Sequence, residues 1–193
     1  QDFKFEISDA RKIAKTLSAF SNTDGGRLLI GVKDNGKVAG VRSEEEQYMI
    51  EAAAQLYCVP QIEYTSRTCQ VEGRSVLVVE ITESLHKPIY AKDENNKLLA
   101  YLRIKDENIL ASTVHLRIWQ QAGSPKGELI TYTAREQLLL DLLEESTSLS
   151  LNKYCRLAHI SRHAAEHLLA KLIRFDIIEP VYENHRFHFR LTK

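Results

Sequence analysis

The stretch Asn22-Thr23-Asp24-Gly25-Gly26 constrains this chain more than any other. Upstream of it, Ala10, Ile13, Ala14, Leu17 and Phe20 recur at helical spacing and form one apolar stripe, with Ser8 placed to cap the helix. The paired glycines stop that helix, because glycine takes the left-handed conformation that a C-terminal cap requires. Residues 27–32 (RLLIGV) follow at once and are apolar on both faces, which predicts a central strand. Residues 3–7 read as a short strand ahead of the helix. Asp34-Asn35-Gly36 predicts a hairpin turn that returns residues 37–41 as a partner strand.

The rest of the first half alternates helices and hairpins. Ser43 with Glu46 fits a capping box for a helix reaching about residue 56, and Pro60 follows its end. Residues 62–70 and 75–81 form a hairpin across Glu72-Gly73. Two more strands flank Asp93-Glu94-Asn95-Asn96, the second alternating from Leu98 to Lys105. A helix over 112–121 completes an α+β domain of residues 1–122, a mixed sheet with helices. Gly123-Ser124-Pro125-Lys126-Gly127 reads as a linker over 123–130. Beyond it, helices are expected at 133–145, 151–157 and 162–175, the first capped by Thr133. An alternating tail then turns at Glu183-Asn184. Three helices and a hairpin, over 131–193, is the order of a winged helix-turn-helix.

Composition excludes several classes. No apolar run nears the ~20 residues of a membrane helix, and the polar start, QDFKFEISDARK, is no signal peptide. The first residue is not Met, which suggests a segment of a longer product. Cys58, Cys69 and Cys155 are odd in number and lack a Cys-x-x-Cys pair, so a disulfide framework or thiolate zinc cage is not expected and a reducing cytoplasm fits. Twenty-six basic residues balance 26 acidic ones, so nucleic-acid binding would need a local basic patch.

Such a patch is legible on the third helix of the C-terminal module. His163, His167, Lys171 and Arg174 share one face with no acid on it, opposite the apolar Ala165, Leu168, Leu169 and Leu172. The tail adds Arg186 and Arg190, with His185 and His188. In a winged helix, the third helix and the wing are the two places that touch DNA. The competing reading is an ordinary solvated face, since the acids and bases of 131–193 nearly cancel. The histidines make the patch pH-sensitive. His159, His163 and His167 also repeat at four-residue spacing, which can bind zinc on a helix, but nothing in the pattern completes a site and no metal is assigned.

The run from Ala19 to Val32, followed by Asp34 and by Gly36-Lys37-Val38-Ala39-Gly40-Val41, strongly resembles the Schlafen-type AlbA domain family. That family's hallmark is A-F-A-N-T-x-G-G and then L-L-I-G-V-x-D; Ser21 stands where alanine is more usual. Asp2-Phe3-Lys4, Lys87-Pro88-Ile89-Tyr90 and Tyr101-Leu102-Arg103-Ile104 extend the likeness over about residues 1–122. In bacteria such domains are often followed by a helix-turn-helix. The resemblance implies three activities. One is metal-dependent (Mg or Mn) RNA cleavage, with Asp2 and Asp34 matching two of three acids and the third expected upstream of Gln1. Another is ATP binding through Asn22, Thr23, Gly25 and Gly26. The third is nucleic-acid binding, for which Lys4, Lys87, Lys92, Arg103 and Lys105 are candidates, with Tyr90 or Tyr101 to stack bases. Residue chemistry weighs against the first two. Asp before Asn-Gly is a standard turn former. The glycine pair closes a helix and does not open one as a P-loop does. The expectation is a bacterial, homodimeric transcriptional regulator that binds DNA, with RNA as the alternative partner, and no membrane association.

Overall fold

A computed structural model of the chain describes residues 1–41, 44–122 and 133–192. They form an α+β architecture of two compact units, Gln1–Ala111 and Ser112–Lys193.

The first unit is organised around a helix, α1 (Ala10–Asn22), that is buried on nearly every side. Asp9, not Ser8, caps it, its carboxylate accepting from the Arg11 N–H at 2.8 Å. One sheet has the order β1 (Asp2–Lys4), β2 (Gly26–Ile30), β5 (Arg74–Ile81), β4 (Thr65–Val71). β2 is the internal strand that its two apolar faces predict, parallel to β1 and antiparallel to β5. A second sheet has the order β3 (Cys58–Val59), β6 (Tyr90–Lys92), β7 (Leu98–Ile104), β8 (Glu107–Leu110). Leu28, Ile30, Leu77 and Val79 of the first sheet and Ile89 and Ala91 of the second share one core with the stripe of α1. Burial of that stripe stabilises the helix by about 1.5–3 kcal/mol for each large side chain.

Three local expectations change. Residues 37–41 make only a single bridge, Val32 to Val38, where a strand was expected. Gly31 bends the chain at φ +88°, and its carbonyl accepts from both Ala39 and Gly40, which leaves no ladder to extend. The next helix, α2 (Glu45–Ala52), runs into a π-helical turn, Ala53–Tyr57; Ser43, its expected cap, lies outside the described residues. β8 was invisible in the sequence, being four residues after a tight turn at Lys105, whose φ is +56°.

In the second unit, Ser112 caps α3 (Thr113–Gln121). This helix packs on α6 (Arg162–Arg174) and belongs to the second unit, so the division falls about ten residues before the expected one. The linker 123–130 and the start of the 131–193 module lie outside the described residues. Thr133 and Glu136 form the capping box of α4 (Ala134–Glu145). β9 (Leu149–Ser150), α5 (Leu151–Ala158), α6, β10 (Ile178–Glu183) and β11 (Arg186–Leu191) follow. The strands form a sheet of order β10-β11-β9. His159 ends α5 in the left-handed region, and Asn184 and His185, one residue past the expected turn, both take positive φ between β10 and β11. Leu139, Tyr154, Leu169, Leu172, Ile178 and Phe189 fill the core.

His115 on α3 is the one histidine among the buried described residues, 8% exposed, with Ser112 Oγ 2.7 Å from Nδ1 and the Phe187 ring centroid at 4.6 Å. Burial lowers its pKa to about 4. The neutral ring therefore favours the folded state, and that stability is lost as pH falls from about 6.5 toward about 4. Moving from pH 7 to pH 5 should cost the unit about 2 kcal/mol by this linkage. His115→Phe should flatten the pH dependence of urea unfolding over that range; an unchanged slope would refute the assignment.

Candidate functional site

The hallmark residues at the end of α1 form an internal joint. Asn22 is 2% exposed. Its Nδ2 donates to the carbonyls of Ile89 at 2.8 Å and Tyr101 at 3.0 Å, and its Oδ1 accepts the Ile89 N–H at 2.8 Å. Ser18, one turn earlier, donates to the same Ile89 carbonyl at 2.7 Å and accepts the Tyr101 N–H at 3.2 Å. Thr23 donates to the Ala19 carbonyl and accepts the Arg103 N–H at 2.9 Å. Helix α1 is thus fastened by side chains to the segment entering β6 and to β7. The glycines serve the same joint. A Cβ on Gly25 would lie 2.6 Å from the Ile81 carbonyl oxygen, and one on Gly26 would lie 2.7 Å from the Phe20 ring. The side chains of Asn22 and Thr23, expected to meet a nucleotide, are committed to protein backbone, and Gly25 and Gly26 allow close approach of the Ile81 carbonyl and the Phe20 ring.

Arg103 is part of the same assembly. Its side chain is 9% exposed, with Nη2 3.5 Å from Asp2, Nη1 donating to Asn108 at 2.7 Å, and the guanidinium over the Phe20 ring. Asn108 in turn donates to Thr16 on α1. Arg103 therefore ties β7 to β1, β8 and α1, a correction to its expected place on a nucleic-acid surface. Lys87 is similarly held, 2.6 Å from Glu83 with 19% of its side chain exposed. Lys4 pairs with Asp2 at 3.1 Å, and Lys92 caps the Leu56 carbonyl at 2.8 Å. Lys105 is exposed in the turn before β8.

Asp2 is occupied by two cations, Lys4 and Arg103, which is the reverse of the carboxylate crowding that holds a divalent ion. Asp34 is exposed in the loop after β2 and lines a shallow cleft with Phe3, Lys4, Phe5, Glu6 and Lys33. Among the described residues no three His, Cys, Asp or Glu side chains group as a metal site. The three cysteines are free thiols.

In the second unit, α6 presents His163 and His167 to solvent. Lys171 is different. It reaches Glu136 on α4 at 3.2 Å with 20% of its side chain exposed. The acid-free face of the sequence thus gains an acid from a neighbouring helix, which periodicity within one helix could not show. Burial raises the Glu136 carboxyl, and the bonds from Thr133 and Lys171 outweigh this and leave its pKa below the usual carboxylate value. His163, His167, Lys171, Glu136 and Arg135 line one cleft of about 410 Å³. Arg174 is half-buried at the end of α6. On the hairpin, Arg190 pairs with Glu179 across the strands at 2.7 Å, while Arg186 beside the turn is exposed. A second hub escaped sequence reading: Glu166, 6% exposed on the inner side of α6, accepts from Thr113, Arg117 and Arg162.

Asn22→Ala should destabilise the first unit by about 4 kcal/mol, because it orphans the buried Ile89 N–H and Tyr101 carbonyl. Asp24→Ala, at an exposed position, should cost less than about 0.5 kcal/mol. Chemical denaturation read separately for the two variants checks this; equal losses would count against the joint.

No helix among the described residues is long and apolar enough to cross a membrane. No curated protein matches the chain. Among solved structures, a Corynebacterium diphtheriae protein, DIP2311, is 21% identical over 64% of this chain and 24% of its own, with a TM-score of 0.45. The chain thus spans about a quarter of that protein's length. The N-terminal domain of a Nitrosomonas europaea protein, named as related to the ATP-dependent DNA helicase RecG, is 28% identical over 55% of this chain and 78% of its own, with a TM-score of 0.38. The family model described as Schlafen, AlbA_2 matches residues 1–112, the stretch that contains the α1 joint and both segments it fastens. Through that stretch, more than half of its length, the chain belongs to the Schlafen AlbA_2 family.

Proposed function

We propose that this chain is a nucleic-acid-binding protein, a transcriptional regulator of bacterial type whose second unit is a winged helix-turn-helix that binds DNA. The observation that carries this reading is the order α4-β9-α5-α6-β10-β11 with the strands paired as β10-β11-β9. In a winged helix that order sets α6 as the groove-reading helix and the β10–β11 hairpin as the wing. His163 and His167 then face the bases, Arg174 stands at the end of the same helix, and Arg186 lies at the wing. Lys171 contributes less than its charge suggests, because Glu136 already neutralises it. The family membership of residues 1–112 supports nucleic-acid association of the chain.

A reader of this kind acts as a homodimer on paired half-sites in the cytoplasm. The AlbA-type unit is the scaffold on which a second nucleic-acid contact or a sensing function is built. Its hallmark residues are spent on the α1 joint, so any such contact uses other surface.

A gel-shift titration against pooled duplex DNA over a range of salt tests the reading. Arg174→Ala combined with Arg186→Ala should lower the salt slope of log K by about 2, near 0.9 for each phosphate no longer neutralised. DNA left unshifted by the unmodified chain at low salt would refute it. The unmodified chain incubated with RNA and manganese should leave the RNA intact, since Asp2 is paired with two cations; cleavage abolished by Asp34→Asn would contradict this reading.

A further inference from the structure

The second unit contains a cleft of about 420 Å³ of which the DNA reading uses only Arg186. Its apolar lining is Leu151 and Phe187, both partly exposed, backed by the core residues Val114 and Phe189. Its rim is basic. Arg186 is exposed beside it and makes no ion pair among the described residues. Arg162 reaches Asn152 at 3.0 Å through Nη1 and Glu166 at 2.9 Å through Nε, and 59% of its side chain is exposed. That geometry leaves its Nη2 open to a further acceptor. No carboxylate lines the cleft. The nearest acid on its elements, Glu166, is already shared between Arg117 and Arg162, so the two arginines of the rim retain net positive charge. The volume lies within the range of small-ligand pockets, and the pattern of apolar walls with a few charged groups at one end is the usual one.

We infer that this cleft binds a small organic anion, with its apolar body against Phe187 and Leu151 and its carboxylate or phosphate between Arg162 and Arg186. The apolar lining distinguishes this ligand from an inorganic ion, which would gain nothing from the two partly exposed hydrophobic side chains. The arginine pair distinguishes it from a neutral aromatic, because a charge-assisted bond to guanidinium is about twice as strong as a neutral one. The inference stands on the cleft alone and holds whether or not the unit binds DNA. Where DNA is also bound, the anion and the duplex compete for Arg186, which gives the unit a way to respond to a metabolite.

Isothermal titration of the whole chain with 2-naphthoate, 2-naphthamide and inorganic phosphate tests it. The naphthoate should bind at least about tenfold more tightly than the amide, which has the same rings without the charge, and than phosphate, which has charge without the rings. Arg186→Gln, at an exposed position with little cost to folding, should bring naphthoate down to the affinity of the amide while the thermal midpoint stays put. No naphthoate binding, equal affinity for the amide or for phosphate, or naphthoate affinity untouched by Arg186→Gln would each overturn the inference. None of these outcomes depends on a gel shift, so a failure here is distinguishable from a failure of the DNA reading.

Discussion

The first unit depends on one buried amide. Asn22 presents both a donor and an acceptor to the backbone of Ile89, as a neighbouring strand would, and adds a bond to Tyr101. Ile89 leads into β6 and Tyr101 lies within β7, and they are 67 and 79 positions away in the chain. A helix cannot ordinarily satisfy unpaired strand backbone, because its own peptide groups are already paired. Asn22 removes that difficulty by extending a peptide-like group from the helix surface. Ser18 and Thr23 repeat the device one turn earlier and one residue later. The result is a helix whose apolar stripe packs into the core that both sheets share and whose polar side chains pin it to the second of them.

That joint explains why three separated sequence blocks travel together in the resemblance. The helix end at 19–26, the block at 87–90 and the block at 101–104 meet at the same few hydrogen bonds. Gly25 and Gly26 allow the chain to leave the helix against the Ile81 backbone and the Phe20 ring. Arg103 adds the link to Asp2 on β1. A signature that looked like a ligand loop is the fastening of a fold.

Much of the fold was legible because it rests on periodicity and local chemistry. The stripe from Ala10 to Phe20 marks a helix, the two apolar faces of residues 28–30 mark an internal strand, and Thr133 with Glu136 marks a capping box. What escaped reading depends on partners distant in sequence. Nothing around Lys171 announces Glu136, thirty-five residues away, and nothing around Arg103 announces that Asp2 and Asn108 will enclose it. A lysine on an apparently acid-free face and an arginine on an alternating strand both look solvent-facing until the neighbouring element is in place. The two-residue strand β9 and the four-residue β8 are too short to carry a period at all. The 37–41 strand failed for a related reason: the turn chemistry was read correctly, but Gly31 had already spent its carbonyl on a bend.

The central claim is that Asn22 holds a helix to the segment entering β6 through the Ile89 amide. Native-state hydrogen exchange at that single N–H is the most direct test. The bond predicts protection close to that of the core amides of β2 and β5, opening only with global unfolding of the unit. Exchange of the Ile89 amide at the rate of the neighbouring exposed residues Leu85 and His86 would contradict it.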